Sequence, residues 1–149
     1  MATIEVPSAG PELDLPSPED RPGADVVIYD GSCGFCRSQV ARLARWDTQD
    51  RLAFVPLQDP VVFERYPDLT RERLLQEMVV VDRSGRRHGG ADAFRYLSRH
   101  VRRLWWLAPW MHIPGSMSLW RLVYRMVARH RYRLWSRRHS CDSGTCKMR

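Results

Sequence analysis

Val26-Val27-Ile28-Tyr29-Asp30-Gly31-Ser32-Cys33-Gly34-Phe35-Cys36 is the stretch on which the reading of the fold turns. Its first four residues are β-branched or aromatic and predict a buried strand. Gly31 and Ser32 supply a turn, and Ser32 or Asp30 is placed to cap a helix beginning after it. Val40, Leu43 and Ala44 then recur at helical spacing, which predicts a helix from Cys33 to about Trp46 with Cys33 in its first turn. A thiol at that position faces unpaired backbone N–H groups and the positive end of the helix dipole, and both favour the thiolate. The thiolate is the form that attacks disulfides. Strand, turn, a two-residue cysteine spacing and helix together imply a redox-active dithiol.

Two other chemistries use the same residue types. Zinc sites take two such pairs on short loops. A second pair exists, Cys141 and Cys146, but 104 residues separate it from Cys36, against roughly 15–20 in a compact ribbon or finger. Cysteines also pack as small apolar side chains. The strand-to-helix setting favours the redox reading over both, with a zinc module of Cys33, Cys36, Cys141 and Cys146 as the alternative.

Outward from the motif, the pattern is α/β. Leu52–Leu57 reads as a second strand, parallel to the first, and Thr70 caps a short helix at Arg71–Leu75. Met78–Asp82 reads as a third strand, Ser84-Gly85 as a hairpin turn, Arg86–Gly89 as its antiparallel partner and Ala91–Val101 as a helix. That βαβ…ββα order is the order of a thioredoxin-like core, a mixed sheet flanked by helices. It places the two cysteines beyond the carboxyl end of a central strand, where open α/β sheets carry their sites.

Asp30, Cys33 and Cys36 reproduce an Asp-x-x-Cys-x-x-Cys signature and resemble in this the DCC family of thiol–disulfide oxidoreductases. The resemblance extends to Val79-Val80-Val81-Asp82-Arg83-Ser84-Gly85, to Gly89-Gly90-Ala91-Asp92-Ala93-Phe94 and to Tyr124–Tyr132, so it covers roughly residues 25–146. It implies disulfide exchange and no particular substrate. On this reading Cys33 is the attacking sulfur and the more exposed one, and Cys36, one helical turn on, resolves the mixed disulfide. Asp30 either relays a proton between the sulfurs or bonds the backbone N–H groups of the turn. Gly34 lets a partner chain approach and Phe35 offers it an apolar contact. Thioredoxins carry a cis-proline just before the third strand; here Gln76-Glu77-Met78-Val79 has none, so substrate docking must differ.

No metal or organic cofactor is required. The implied partners are a disulfide-containing protein or a small thiol substrate, plus an electron donor that the sequence does not identify. Four cysteines in 149 residues are too few for a disulfide-stapled secreted scaffold. Residues 1–24 read as a disordered acidic, proline-rich leader: Met1–Gly23 holds five acids, five prolines and no apolar core of a signal peptide. The expected compartment is therefore the cytosol.

Residues 25–101 form the expected core and residues 102–149 a tryptophan- and arginine-rich helical extension of the same domain. Residues 101–149 carry 11 basic side chains and one acidic, whereas residues 1–100 carry 13 and 16. No nucleic-acid motif accompanies this charge, so acidic partners or lipid headgroups are the better match. Leu119, Leu122, Val123, Met126 and Val127 keep helical spacing with Arg121, Arg125 and Arg129 opposite, which predicts an amphipathic helix packed on the core by its apolar stripe. Ahead of it, Leu104–Gly115 predicts a bent connection whose tryptophans cover the sheet or rim the active site, with a peripheral membrane contact as the sharper alternative. The tail pair Cys141 and Cys146 is a candidate second redox pair that relays electrons to the first.

Overall fold

Val26–Tyr29 forms its strand with one residue more at the front: β1 is Asp25–Tyr29, and all five residues are buried. The computed structural model describes residues 13–136. In it β1 is followed by α1 (Gly34–Trp46), β2 (Leu52–Pro56), α2 (Pro60–Arg65), α3 (Arg71–Gln76), β3 (Val79–Val81), β4 (Arg87–Gly89) and α4 (Gly90–His100). A 3-10 turn at Arg102–Leu104 leads to α5 (Ala108–Met111) and α6 (Ser116–Ser136).

The four strands make one mixed sheet in the order β2-β1-β3-β4. β1 and β2 run parallel with Val27 opposite Phe54 and Tyr29 opposite Pro56. β3 is antiparallel to β1, with Ile28 opposite Val79, and β4 is antiparallel to β3. This is the thioredoxin-like arrangement expected from the sequence. Because side chains alternate along a strand, β1 feeds two separate cores. Val27 and Tyr29 pack with Val40 and Leu43 of α1 and with Ala93 and Leu97 of α4. Val26 and Ile28 pack on the other face with Val62 of α2 and with Leu69 and Leu74 of the α3 region. Short helices hold on that second face because their starts are capped: Asp59 accepts from the Val61 N–H ahead of Pro60, and Thr70 from the Arg73 N–H.

Three expectations need correction. Within the expected leader, the described residues from Leu13 on are fixed to the domain: Leu15 packs on the α1–α4 core, the Pro16 carbonyl accepts from the Phe54 N–H, and Arg21 bonds Asp47, Asp50 and the Leu52 carbonyl. The Leu104–Gly115 tryptophans do not cover the sheet. Leu104 and Met111 are the buried side chains of that stretch, while Trp105, Trp106 and Trp110 are exposed. Nor does α6 bury its apolar stripe. Leu119, Leu122, Val123, Met126 and Val127 all face solvent. Its inner face is Met117, Trp120, Tyr124 and Ala128, spaced three to four residues apart and half-buried.

The reason is that α1 and α4 already cover the sheet, so α6 can only lie on those helices and on α5. It does so through polar-tipped aromatics. The Tyr124 hydroxyl accepts from the Met78 N–H at 3.0 Å, and Trp120 Nε1 donates to the Trp110 carbonyl. The fit is close at Gly90, which has φ +54 and begins α4: a β-carbon there would lie 3.2 Å from the Tyr124 ring and 2.8 Å from Glu77 Oε2. Glycine answers both demands.

Candidate active site

At the carboxyl end of β1 the chain turns sharply. The Leu57 N–H donates to the Tyr29 carbonyl, which prolongs the β1–β2 pairing past Pro56 and brings Gln58 beside the turn. Asp30, 2% exposed, gathers three donors on one oxygen. Its Oδ1 accepts from the Ser32 N–H at 3.0 Å, the Ser32 hydroxyl at 2.6 Å and Gln58 Nε2 at 2.9 Å. Gln58 closes the clamp by accepting from the Gly31 N–H at 3.0 Å. A β-carbon on Gly31 would sit 2.8 Å from Gln58 Oε1 and 3.0 Å from Pro56 Cβ, so the turn needs a glycine for space. Asp30 thus bonds the Ser32 N–H of the turn.

The clamp delivers the chain to α1. Cys33, with φ −90 and ψ 110, is the N-cap and stands one residue before the helix rather than in its first turn. Its sulfur takes the place of the usual hydroxyl or carboxylate cap: Sγ accepts from the Cys36 N–H at 3.4 Å. α1 has no acidic residue in its first turn; the carboxylate ahead of the cap is Asp30, three residues before Cys33, which acts against the helix dipole at the sulfur. Both Cys33 and Cys36 are thiols. Their exposure reverses the expected order, with Cys33 at 3% and Cys36 partly exposed. The cap geometry accounts for this: an extended N-cap residue folds its side chain back over its own helix start. Gly34 and Phe35 open the helix and are partly exposed, and the Phe35 carbonyl accepts from the Ser38 hydroxyl. Burial pushes the Tyr29 phenol at the strand's end upward in pKa, and the nearby Arg37 charge pulls the other way.

Gln58 was not legible as a site residue. The signal lay in the parallel register, which puts the residues after Pro56 opposite those after Tyr29. Cys141 and Cys146 lie outside the described residues. Among the described residues, no three histidine, cysteine or carboxylate side chains stand close enough to hold a metal, and no helix is long and apolar enough to cross a membrane.

A second polar cluster occupies the opposite end of the sheet. Asp25 is buried and accepts from the Tyr96 hydroxyl at 3.0 Å and the Arg83 N–H at 3.1 Å. Tyr96 is stacked between His88 and His100, with ring centroids 4.4 and 4.1 Å away. His88 Nε2 lies 2.9 Å from Asp82 Oδ2. Burial, then the Asp25 charge and hydrogen bond, push the Tyr96 phenol well above its ordinary value. Burial acts to raise the Asp82 pKa, but hydrogen bonds from Ser84, His88 and the Arg86 N–H outweigh it and hold this carboxyl well below the usual range.

The family model of the DCC1-like thiol-disulfide oxidoreductases matches residues 27–137, from β1 to the end of α6. The chain belongs to that family. No curated protein and no solved structure matched it. The matched region of this family member contains the Asp30–Gln58 clamp, the capped dithiol and all of the sheet but the first two residues of β1.

Proposed function

We propose that this family member exchanges disulfides through Cys33 and Cys36. The observation that carries the proposal is the Cys33 sulfur acting as the N-cap of α1, where it accepts a backbone N–H beyond the end of a central strand. A thiolate there receives a charge-assisted hydrogen bond and the helix dipole. In the reducing direction, the Cys33 thiolate attacks one sulfur of a substrate disulfide. A bond forms between Cys33 and that sulfur, and the second substrate sulfur leaves as a thiolate and takes up a proton. The Cys36 thiolate, formed by loss of its proton to solvent, then attacks Cys33 and expels the first substrate sulfur. The substrate gains two electrons and two protons, and the protein is left with a Cys33–Cys36 disulfide. A small-molecule or protein thiol reductant resets it.

Asp30, held by Ser32 and Gln58, fixes the turn that presents the dithiol; Gly34 and Phe35 are the surface a substrate meets first. The greater exposure of Cys36 favours the reverse order of attack, and trapping separates the two. Cys36→Ser should accumulate mixed disulfides with substrate proteins, because the resolving thiol is gone, while Cys33→Ser accumulates none. Trapping by Cys33→Ser instead would exchange the two roles, and trapping by neither variant would refute dithiol exchange.

A further inference from the structure

The outer face of α6 and the segment before it form a large apolar surface. Leu119, Leu122 and Met126 are 56–61% exposed, Val123 and Val127 somewhat less, and Trp106 reaches 70%. At about 100° per residue, Leu119, Leu122, Val123, Met126 and Val127 share one face of the helix. Arg129 borders that face and Arg125 stands next to it, while Arg121 lies farther round the helix and pairs with Asp92 at 3.1 Å. Trp105, Trp106, Trp110 and Ile113 lie in the lead-in to α6 and are exposed as well. Monomeric proteins rarely expose large apolar patches without a use for them.

Charge says what covers it. Residues 101–130 contain five arginines, Arg102, Arg103, Arg121, Arg125 and Arg129, and no carboxylate. A second copy docking by the same face would bring arginines together with no acid in the segment to pair them. Residues 137–149 offer four basic side chains, and their apolar content is Met148 and two cysteines, so they match neither the charge nor the polarity of the face. An anionic lipid surface matches both. Apolar side chains and tryptophan enter the headgroup boundary while arginines meet phosphates. We propose that the α5–α6 face docks this protein on anionic membrane surfaces as a peripheral protein. The Tyr124 contacts at Met78 and Gly90 place the middle of α6 at the dithiol end of the sheet, so docking brings Cys33 and Cys36 near the lipid surface.

The test uses the full chain with vesicles of phosphatidylglycerol and phosphatidylcholine in equal parts, and with phosphatidylcholine alone. The protein should pellet with the anionic vesicles, with a blue shift of tryptophan emission, and release as salt is raised. A Leu122→Asp/Met126→Asp variant should lose at least about tenfold in partitioning through its lost apolar burial. Arg125→Glu/Arg129→Glu should lose binding to the anionic vesicles while keeping the fold. All these side chains are exposed, and an unchanged rate of exchange with a small soluble disulfide serves as the folding control and keeps this test separate from the redox proposal. Absence of pelleting with anionic vesicles, equal pelleting with neutral ones, or pelleting that neither variant reduces would overturn the proposal. So would a lipid-free dimer in sedimentation velocity that Leu122→Asp/Met126→Asp dissociates.

Discussion

The two ends of the sheet each centre on a buried aspartate, but the partners it holds differ in reach. At the carboxyl end of β1, Asp30 holds Ser32 and Cys33 caps a helix whose third residue is Cys36, with Gln58 reaching in from 27 and 28 residues away. At the amino end, Asp25 holds Arg83 and Tyr96, 58 and 71 residues away. Gln58 joins the first turn to the neighbouring strand, whereas the Asp25 contacts span more than half of the sheet's sequence and tie the hairpin and α4 to β1. On the proposed function the dithiol end carries the chemistry, while the far end ties distant segments of the chain together. Asp25 and Asp30 are both 2% exposed, so burial alone does not tell them apart.

Substitutions should separate the two ends. The largest effect falls on chemistry: Cys33→Ser should reduce disulfide exchange to the uncatalysed background while leaving the thermal midpoint nearly in place. A large drop in the midpoint would erase the distinction between the ends. Next comes Asp25→Ala, which strands the Tyr96 hydroxyl and the Arg83 N–H without their acceptor. Denaturant unfolding should show a loss of about 2–4 kcal/mol, with the cysteine alkylation rate of the folded protein unchanged. Gly31→Ala tests the dithiol end by space rather than charge. Its new β-carbon displaces Gln58 and presses on Pro56, at about 1–2 kcal/mol, and the alkylation rate of Cys33 should shift with it. The smallest effect is in acid. The Asp82 pKa is depressed in the folded state, so the stability it contributes is present above the unfolded carboxylate value of about 3.9 and is lost as pH falls below it. Melting curves of Asp82→Asn should therefore fall less steeply on acidification than those of the unsubstituted protein.

Much of the core was legible because its signals are local and periodic. The run at β1, the cap at Thr70 and the Ser84-Gly85 turn, with Gly85 at φ +81, each announce an element within a few residues. The motif likewise announced the dithiol, since a two-residue spacing after a strand leaves few other readings. What stayed hidden depends on distant partners. Gln58 reaches Asp30 only through the β1–β2 register. Cys33 is buried because its extended backbone makes it a cap, a difference of one residue in where α1 begins. α6 shows the limit most plainly: its period marks an apolar face, but period does not say what covers that face. Trp120 and Tyr124, residues that a hydropathy pattern ranks below leucine, take the inner side because their N–H and O–H find backbone partners there.

Disulfide exchange by this route requires that the start of α1 hold the Cys33 sulfur as a thiolate. Alkylation by iodoacetamide across pH, with the modified cysteine assigned by mass spectrometry, measures this directly. Cys33 should titrate below the free-thiol value of about 8.5 and be the first cysteine modified at neutral pH. Modification of Cys36 ahead of Cys33, or a Cys33 titration at or above that value, would contradict it.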